Sequence, residues 1–308
     1  MNNDRIQEIL DLMEEARLDY FLISDPQSIA YCTGYYNDPH ERMFVFMISK
    51  HGNHTLFMND LFYLEHDLDV NIVWHKDGQD AIQTIVDEMH FPGRIGIDKN
   101  WASHFLLDLM KKLPDAKYIN ASPCVDLVRM KKDLQEQVLM IESSKINDAV
   151  MEEIIPFIQE GVTEKQLAKK LDELFFNHHS TCYGAIVAFG KNAADPHHEN
   201  DDTPLRKGDC VLIDMGCVYK GYCSDMTRTF FYEGILEEEI KVYEIVKKAN
   251  EAAEAMIKPG VKLSDIDKCA RKVISDEGYG KYFTHRLGHF IGRDVHEYGD
   301  VSSVNEME

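Results

Sequence analysis

Residues 210–231, CVLIDMGCVYKGYCSDMTRTFF, constrain the fold of this chain more than any other stretch. Two apolar runs flank a turn region that holds Tyr219, Lys220 and Gly221, and this pattern predicts a β-hairpin whose loop is Tyr219-Lys220 or Lys220-Gly221. Each arm carries one carboxylate, Asp214 on the first and Asp225 on the second. Side chains alternate faces along a strand, so a two-residue loop here places both carboxylates on one face, directly opposite or one diagonal apart.

Two neighbouring carboxylates destabilise a sheet unless something neutralises their charge. Like charges repel across a ladder, and partial burial of the pair raises one of the two pKa values. A bound divalent cation is the simplest compensation. The alternative is that both aspartates are exposed to solvent and bind nothing, which is the commoner case for an arbitrary hairpin. The rest of the sequence therefore has to decide between the two.

Length and composition predict a globular protein of two domains. A chain of 308 residues is too long for one small core, and its contents of 44% hydrophobic and 28% charged residues are ordinary. A formal net charge of -21 argues against nucleic acid or an anionic membrane as a partner. The sequence shows no secretory signal pattern and no long apolar run, so we expect a cytoplasmic protein. Seven cysteines without regular spacing predict reduced thiols that pack in cores.

The order of predicted elements separates two domains. Helices and strands alternate through the first part of the chain, which predicts an α/β domain at residues 1–122, followed by a second domain at residues 123–308. The second domain opens on a long helical pattern at residues 125–159, and Thr163 with Gln166 forms a capping box that opens the next helix. The inward positions predicted for the long helical pattern are Leu127, Met130, Leu134, Val138, Ile141 and Ile146.

Residues 282–297, YFTHRLGHFIGRDVHE, hold a dense histidine cluster with His285, His289 and His296. Histidines this close together, beside glycines that permit close backbone approach, indicate a functional site. The spacing differs from that of the HExxH zinc helix, so a protease of that kind is not supported. A lone histidine is more often a hydrogen-bonded structural residue. That alternative stays open for His285, His296 and His197, the last of which lies in the loop GKNAADPHH.

Taken together, LIDMG, SDMTRTF, the PHH loop and HRLGHFIGRDVHE resemble the pita-bread metallopeptidases. That family includes methionine aminopeptidases, creatinase, and the Xaa-Pro dipeptidases and aminopeptidases. The N-terminal half, with SIAYCTG at residues 28–34, resembles the creatinase-type domain and favours the Xaa-Pro branch. The resemblance implies an α/β creatinase-type N-terminal domain and an α+β pita-bread C-terminal domain with an antiparallel sheet.

Position by position, the resemblance also implies a metal site and a substrate pocket. Carboxylate oxygens with one imidazole suit manganese, cobalt, iron or zinc. Two such divalent ions would hold a hydroxide between them and polarise the scissile carbonyl. His198 is interpreted only as a neighbour of His197. The implied metal ligands are Asp214, Asp225 and His289, and the implied pocket residues are His197, His285 and His296.

The sequence departs from the family pattern at its C-terminal end. Family members supply two further glutamate ligands after the histidine segment, the first in a Glu-Pro-Gly context, and neither is found before Glu308. Three other glutamates are poor substitutes, since Glu297 belongs to the histidine motif, and Glu306 and Glu308 lie at the terminus. We therefore expect an incomplete pita-bread domain that loads metal weakly. A truncated piece of an active peptidase is favoured over an inactive shortened homologue or a site completed by another chain.

The function expected from the resemblance is metal-dependent hydrolysis of Xaa-Pro bonds. The substrate would be a proline-containing peptide or dipeptide, the attacking group a metal-bridged hydroxide, and the assembly a homodimer. The alternative, from another class, is a non-catalytic protein that keeps the pita-bread fold and uses its cleft to hold a peptide. Metal content and hydrolysis distinguish the two.

Overall fold

The structure is a computed structural model that describes residues 1–90 and 92–308. Two compact units make up the chain, Met1–Lys131 and Lys132–Glu308. Within the described residues, none of the helices combines the length and apolar character needed to cross a bilayer.

The first unit alternates helices and strands, as the sequence predicts. Asp25 shows how local chemistry sets these elements, since its side chain accepts from the Ser28 amide at the start of one helix and Gly34 ends that helix with a positive φ. The elements are α1 (Asn3–Glu15), β1 (Tyr20–Ile23), α2 (Pro26–Thr33), β2 (Val45–Ser49), β3 (Thr55–Asn59), β4 (Asn71–His75), α3 (Ala81–Glu88), β5 (Arg94–Ile97), α4 (Ser103–Lys112), β6 (Lys117–Asn120) and α5 (Ser122–Met130).

These strands form one mixed six-stranded sheet in the order β4-β3-β2-β1-β5-β6. The strand β1 is buried along its whole length, and its alternate side chains enter two different cores. Phe21 and Ile23 pack with α1, α2 and α5, while Tyr20 and Leu22 pack with α3 and α4. Helices therefore cover both faces of the sheet, which is the layering of an α/β domain.

The boundary between the units falls after α5, whereas the sequence prediction placed it at residue 122, before that helix. The physical reason is that α5 completes the core of the first unit. Cys124, Val125 and Val128 are buried in the same cluster as Ile6 and Ile9 of α1.

The second unit combines helices with short antiparallel sheets. Its described strands form sheets in the orders β12-β9-β8, β11-β10-β7 and β13-β14. The elements are α6 (Leu134–Ile154), α7 (Glu164–Asn177), β7 (Thr181–Cys182), β8 (Ile186–Phe189), β9 (Cys210–Met215), β10 (Cys217–Tyr219), β11 (Tyr222–Cys223), β12 (Met226–Phe231), α8 (Glu237–Glu254), α9 (Leu263–Asp276), β13 (Gly288–Phe290) and β14 (Glu297–Val301).

The helix α6 departs from the predicted pattern. The helical run predicted at residues 125–159 is interrupted before Asp133, whose side chain caps α6 in a capping box. Three of the predicted inward residues are more than half exposed, Leu134, Val138 and Ile141. The buried face instead carries Ser143 and Asn147, whose side chains donate to the carbonyls of Cys217 and Met215. Because strand carbonyls accept these hydrogen bonds, polar residues take buried positions that hydrophobic periodicity did not identify.

The predicted hairpin is present but is divided between two sheets at Gly216. The outer arms pair as β9 with β12, and the tip pairs as β10 with β11. Lys220 and Gly221 both have positive φ, as a two-residue hairpin loop requires. A Cβ atom at Gly216 would lie 1.9 Å from the hydroxyl of Tyr183 and 2.0 Å from the carbonyl oxygen of Ser224. Only glycine fits where the arms change sheet.

All seven cysteines are free thiols, as the sequence predicts. Burial raises the pKa of Cys182 and of Cys210 to about 11, and that of Cys223 to about 12. The thiolate is the reactive form, so these thiols stay protonated at neutral pH.

We expect the native protein at about pH 8 to react with iodoacetamide more slowly than the unfolded chain, on the order of 100-fold at Cys182 and Cys210 and on the order of 1,000-fold at Cys223. The rate should rise about tenfold per pH unit until the raised pKa is reached, because the thiolate fraction does so. Peptide mass spectrometry after timed labelling measures each site. Labelling of these sites at the unfolded rate would contradict the expectation.

Candidate metal centre

Asp214 and Asp225 lie on one face of the sheet β12-β9-β8. Asp214 is in β9 directly opposite Thr227 in β12, and the Thr227 hydroxyl donates to Asp214 Oδ1 at 2.8 Å. Asp225 directly precedes β12, two residues before Thr227, and its carboxylate interacts with that of Asp214, as continued alternation from β12 predicts. The two carboxylates are therefore one diagonal apart, which is one of the two arrangements that the hairpin pattern predicts.

The electrostatic conflict expected from this pairing is present. Burial raises the pKa of the Asp214 carboxyl, and the neighbouring charge of Asp225 raises it further against the opposing hydrogen bond from Thr227. A divalent cation between the carboxylates would remove this conflict by favouring the charged form of both.

His289 faces this carboxylate pair from β13. Its Nε2 lies 3.4 Å from Asp225 Oδ2, and its Nδ1 lies 3.1 Å from the carbonyl oxygen of Phe290. A carbonyl and an ionised carboxylate can only accept, so this environment favours the ring that donates from both nitrogens. A metal ion would take the place of the Nε2 proton while Nδ1 kept its own. The hydrogen bond to Asp225 raises the pKa of His289. The ring of His296 packs edge-on against that of His289, with centroids 4.3 Å apart.

Backbone contacts bring the histidine segment to the hairpin. The amide of Cys223, two residues before Asp225, donates to the carbonyl of Gly292 at 2.7 Å. Glu297 closes the turn after His289, because its side chain accepts from the Arg293 amide at 2.9 Å and pairs with Lys132 at 2.7 Å. Glu297 is therefore engaged in holding the segment.

His285 is held through its backbone by α9. Arg271 donates to the carbonyls of His285 at 2.6 Å and Phe283 at 2.7 Å, and it pairs with the fully buried Asp267. The His285 side chain is exposed, and its Nδ1 lies 2.7 Å from the carbonyl oxygen of Arg286.

The predicted site residues thus fall into two groups. Asp214, Asp225, His289 and His296 form one cluster of contacts. His197 is exposed in the loop that follows β8, where its amide donates to the Asp195 carboxylate, and His285 is exposed in the segment that precedes β13.

A second group of metal-ligand types lies in the same unit. Potential ligand atoms of Glu164, His198 and Asp201 lie within 4.8 Å of one another. Glu164 Oε2 and His198 Nε2, however, are 2.6 Å apart, which is a hydrogen-bond distance. Two ligands on one ion with bonds of about 2.1 Å stand roughly 3 Å or more apart, so these contacts indicate a hydrogen-bond network. His198 is therefore more than the neighbour of His197 that the sequence suggested.

Sequence reasoning missed two residues of the aspartate cluster. Thr227 could have been found from strand alternation, because it shares the Asp225 face and meets Asp214 across the ladder. Tyr183 donates its hydroxyl to the Ser224 carbonyl at 2.7 Å, next to Asp225, and burial raises its pKa. That contact spans 41 residues and leaves no local signal in the sequence.

The donors present fit a divalent cation. Two carboxylates held in mutual repulsion and an imidazole whose Nε2 faces one of them are the ligand types that manganese, cobalt, iron and zinc accept. The group would be mainly oxygen-donating, which disfavours copper and other metals that prefer thiolates.

The α/β first unit and the second unit, with its antiparallel sheets and carboxylate–histidine cluster, define a metallopeptidase of the creatinase and pita-bread type. Residues 5–131 match the creatinase/prolidase N-terminal domain, and residues 138–308 match metallopeptidase family M24. The chain belongs to metallopeptidase family M24. The predicted family and fold are confirmed, and the family supports peptidase activity.

Relatives of known structure share both units. A dipeptidase from Pyrococcus horikoshii is 34% identical with a TM-score of 0.90, over 98% of this chain and 86% of that one. An Xaa-Pro dipeptidase from Bacillus anthracis is 27% identical with a TM-score of 0.89, over 99% of this chain and 86% of that one. An uncharacterized peptidase of Staphylococcus saprophyticus is 32% identical over 314 residues, covering 99% of this chain and 88% of the relative.

Proposed function

We propose that this protein hydrolyses Xaa-Pro bonds in short peptides, using two divalent metal ions for which Asp214, Asp225 and His289 supply ligands. The observation that carries the proposal is the contact cluster of these three side chains. Membership of a metallopeptidase family supports hydrolysis, and a related structure described as an Xaa-Pro dipeptidase supports the choice of substrate.

The chain's own residues would prepare the ligands for binding. Thr227 holds Asp214 by its hydroxyl, and the Phe290 carbonyl keeps the proton of His289 on Nδ1 so that Nε2 is free to coordinate. Ions bound there would supply Lewis-acid polarisation of the scissile carbonyl and lower the pKa of water.

His296 would act on the substrate as a neutral hydrogen-bond donor. Burial lowers its pKa, and the neighbouring His289 lowers it further. A neutral imidazole still carries one N–H, which can stabilise the oxyanion that develops on the scissile carbonyl. The environment of His296 thus favours the neutral ring over the imidazolium.

His197 and His285 would contact the substrate. Both rings are exposed, so they can bind a ligand without losing an existing buried contact. An Xaa-Pro bond has no N–H, so the site would select proline by the shape of its ring.

Hydrolysis by the full-length protein tests this proposal. We expect elemental analysis to find about two transition ions per chain, and Ala-Pro or Ala-Pro-Ala to be cleaved at least about tenfold faster than the matched peptide with alanine in place of proline. Cleavage should stop after chelation and return with Mn²⁺ or Co²⁺. Tight peptide binding without metal or hydrolysis would overturn the proposal and favour a non-catalytic binding protein. The preferred peptide length would distinguish dipeptidase from aminopeptidase.

We also propose that the protein works in the cytoplasm as a homodimer. The free thiols support the location, because proteins of oxidising compartments commonly pair their cysteines, and the family resemblance supports the dimer. Light scattering coupled to gel filtration measures the assembly directly, and a mass of one chain across the working concentration range would contradict it.

A further inference from the structure

The loop of residues 190–200, which carries His197, leaves the sheet at the end remote from Asp214. The strand β8 runs antiparallel beside β9, with Ile186 opposite Asp214 and Phe189 opposite Val211. The chain therefore moves about 10 Å away from Asp214 along β8 before the loop begins. A loop that continued in this direction would carry His197 away from the carboxylate pair.

Asn200 turns the loop back to the level of Asp214. Its Oδ1 accepts from the Val187 amide at 2.7 Å, and its Nδ2 donates to the Ala185 carbonyl at 2.7 Å. These two backbone groups flank Ile186, the partner of Asp214 in the ladder. The Asn200 amide thus occupies the outer edge of β8 as a neighbouring strand would.

Glu164 closes the same loop at its base. This carboxylate is fully buried in the first turn of α7, where the helix dipole favours a negative charge. On the outgoing side, Oε1 accepts from the Phe189 amide at 2.8 Å and from Asn192 Nδ2 at 3.0 Å. On the returning side, Oε2 accepts from His198 Nε2 at 2.6 Å and the Asp201 amide at 3.1 Å. One side chain therefore joins the two arms of the loop.

We propose that Glu164 and Asn200 are positioning residues that fold the loop of residues 190–200 back along β8 and thereby present His197 at the Asp214 end of the sheet. Neither residue touches the substrate. The inference rests on the proposed function, because His197 matters there as a substrate contact. On this inference, the group of Glu164, His198 and Asp201 holds the loop in position and does not bind a metal.

Two isosteric substitutions in the full-length, metal-loaded protein test the inference. Glu164→Gln places an NH₂ group against backbone N–H donors, and Asn200→Asp places an oxygen against the Ala185 carbonyl. We expect each to lower kcat/KM by roughly 10- to 100-fold through misplacement of His197, with unchanged metal content. Glu199→Gln, an exposed acid in the same loop, is the matched control and should behave as wild type.

A double-mutant cycle separates positioning from general damage. In a His197→Ala background, Asn200→Asp should cost no further activity, because the residue acts only through His197. Hydrogen exchange supplies a readout independent of turnover. In Glu164→Gln an NH₂ group replaces one of the two acceptor oxygens, so the amide of Phe189 or of Asp201 should lose protection. In Asn200→Asp the new oxygen repels the Ala185 carbonyl and displaces the side chain, so the Val187 amide should lose protection.

Each contrary result is distinct. Full additivity with His197→Ala, or wild-type kcat/KM in Asn200→Asp, would overturn the inference. Loss of metal from Glu164→Gln with amide protection retained would show a metal site instead. If the wild-type protein hydrolyses no peptide, the proposed function fails. Hydrogen exchange then still tests whether Glu164 and Asn200 hold the loop in place. Unchanged amide protection in both variants would show that they do not.

Discussion

Asp214→Asn is expected to remove metal from the full-length protein and to lower kcat/KM by more than about 1,000-fold, while making the metal-free protein more stable. The loss follows because Lewis-acid stabilisation contributes several kcal/mol, and about 4 kcal/mol corresponds to a factor of 1,000. The metal-free protein becomes more stable because burial and the charge of Asp225 raise the pKa of Asp214, so the charged carboxylate opposes folding at neutral pH. Asparagine removes that charge and keeps an oxygen for the Thr227 hydroxyl.

Three measurements check this prediction together: metal per chain, hydrolysis rate, and the unfolding temperature in the presence of a chelator. Asp202→Asn is the matched control, since it removes one negative charge from an exposed surface pair with Lys165. An Asp214→Asn protein that kept its metal, or whose metal-free form unfolded at a lower temperature than wild type, would show that Asp214 is a structural residue.

Local rules accounted for the elements that present the site. Strand alternation put Asp214 and Asp225 on one face, and turn chemistry narrowed the loop to Tyr219-Lys220 or Lys220-Gly221, of which the structure has the second. The capping box of Thr163 and Gln166 at the start of α7 is likewise present in the structure. Each of these features depends on residues that are close in sequence, or on a ladder closed by a short turn, so the sequence alone was sufficient.

Contacts between distant segments could not be predicted in this way. The bond from Cys223 to Gly292 brings the histidine segment to the aspartates, but it joins two backbone groups that any residue type would offer. The four hydrogen bonds that Glu164 accepts could not be predicted from the sequence either, because two of the donors are main-chain amides. The family resemblance predicted which histidine would face the carboxylates, and physical reasoning from periodicity did not.

The buried face of α6 shows the same limit within a single helix. Hydrophobic spacing favoured the side with Leu134, Val138 and Ile141, yet Ser143 and Asn147 are buried. A polar side chain can be buried at little cost when a strand carbonyl accepts its hydrogen bond. Periodicity cannot register such a bond, because the acceptor lies on another element.

Gly216→Ala is expected to destabilise the second unit by about 3 kcal/mol or more, which lowers its unfolding temperature by roughly 6–12 °C. The added methyl group would overlap the Tyr183 hydroxyl at 1.9 Å and the Ser224 carbonyl oxygen at 2.0 Å. The clash cannot be relieved by rotating one flexible side chain, since Ser224 contributes backbone. It must instead move the segment that leads into Asp225.

Gly234→Ala is the matched control for this substitution. Its added Cβ would meet Gly208 Cα at 3.5 Å, an ordinary contact, and the backbone there does not require a positive φ. We expect a change within about 1 kcal/mol, favourable because alanine restricts the unfolded chain. Thermal unfolding followed by circular dichroism compares the two variants, and metal titration reports whether Asp225 has moved. An equal unfolding temperature for Gly216→Ala and Gly234→Ala, with the metal affinity of the wild type, would contradict this prediction. The close packing of Tyr183 and Ser224 around Gly216 would then not determine the position of Asp225 beside Asp214.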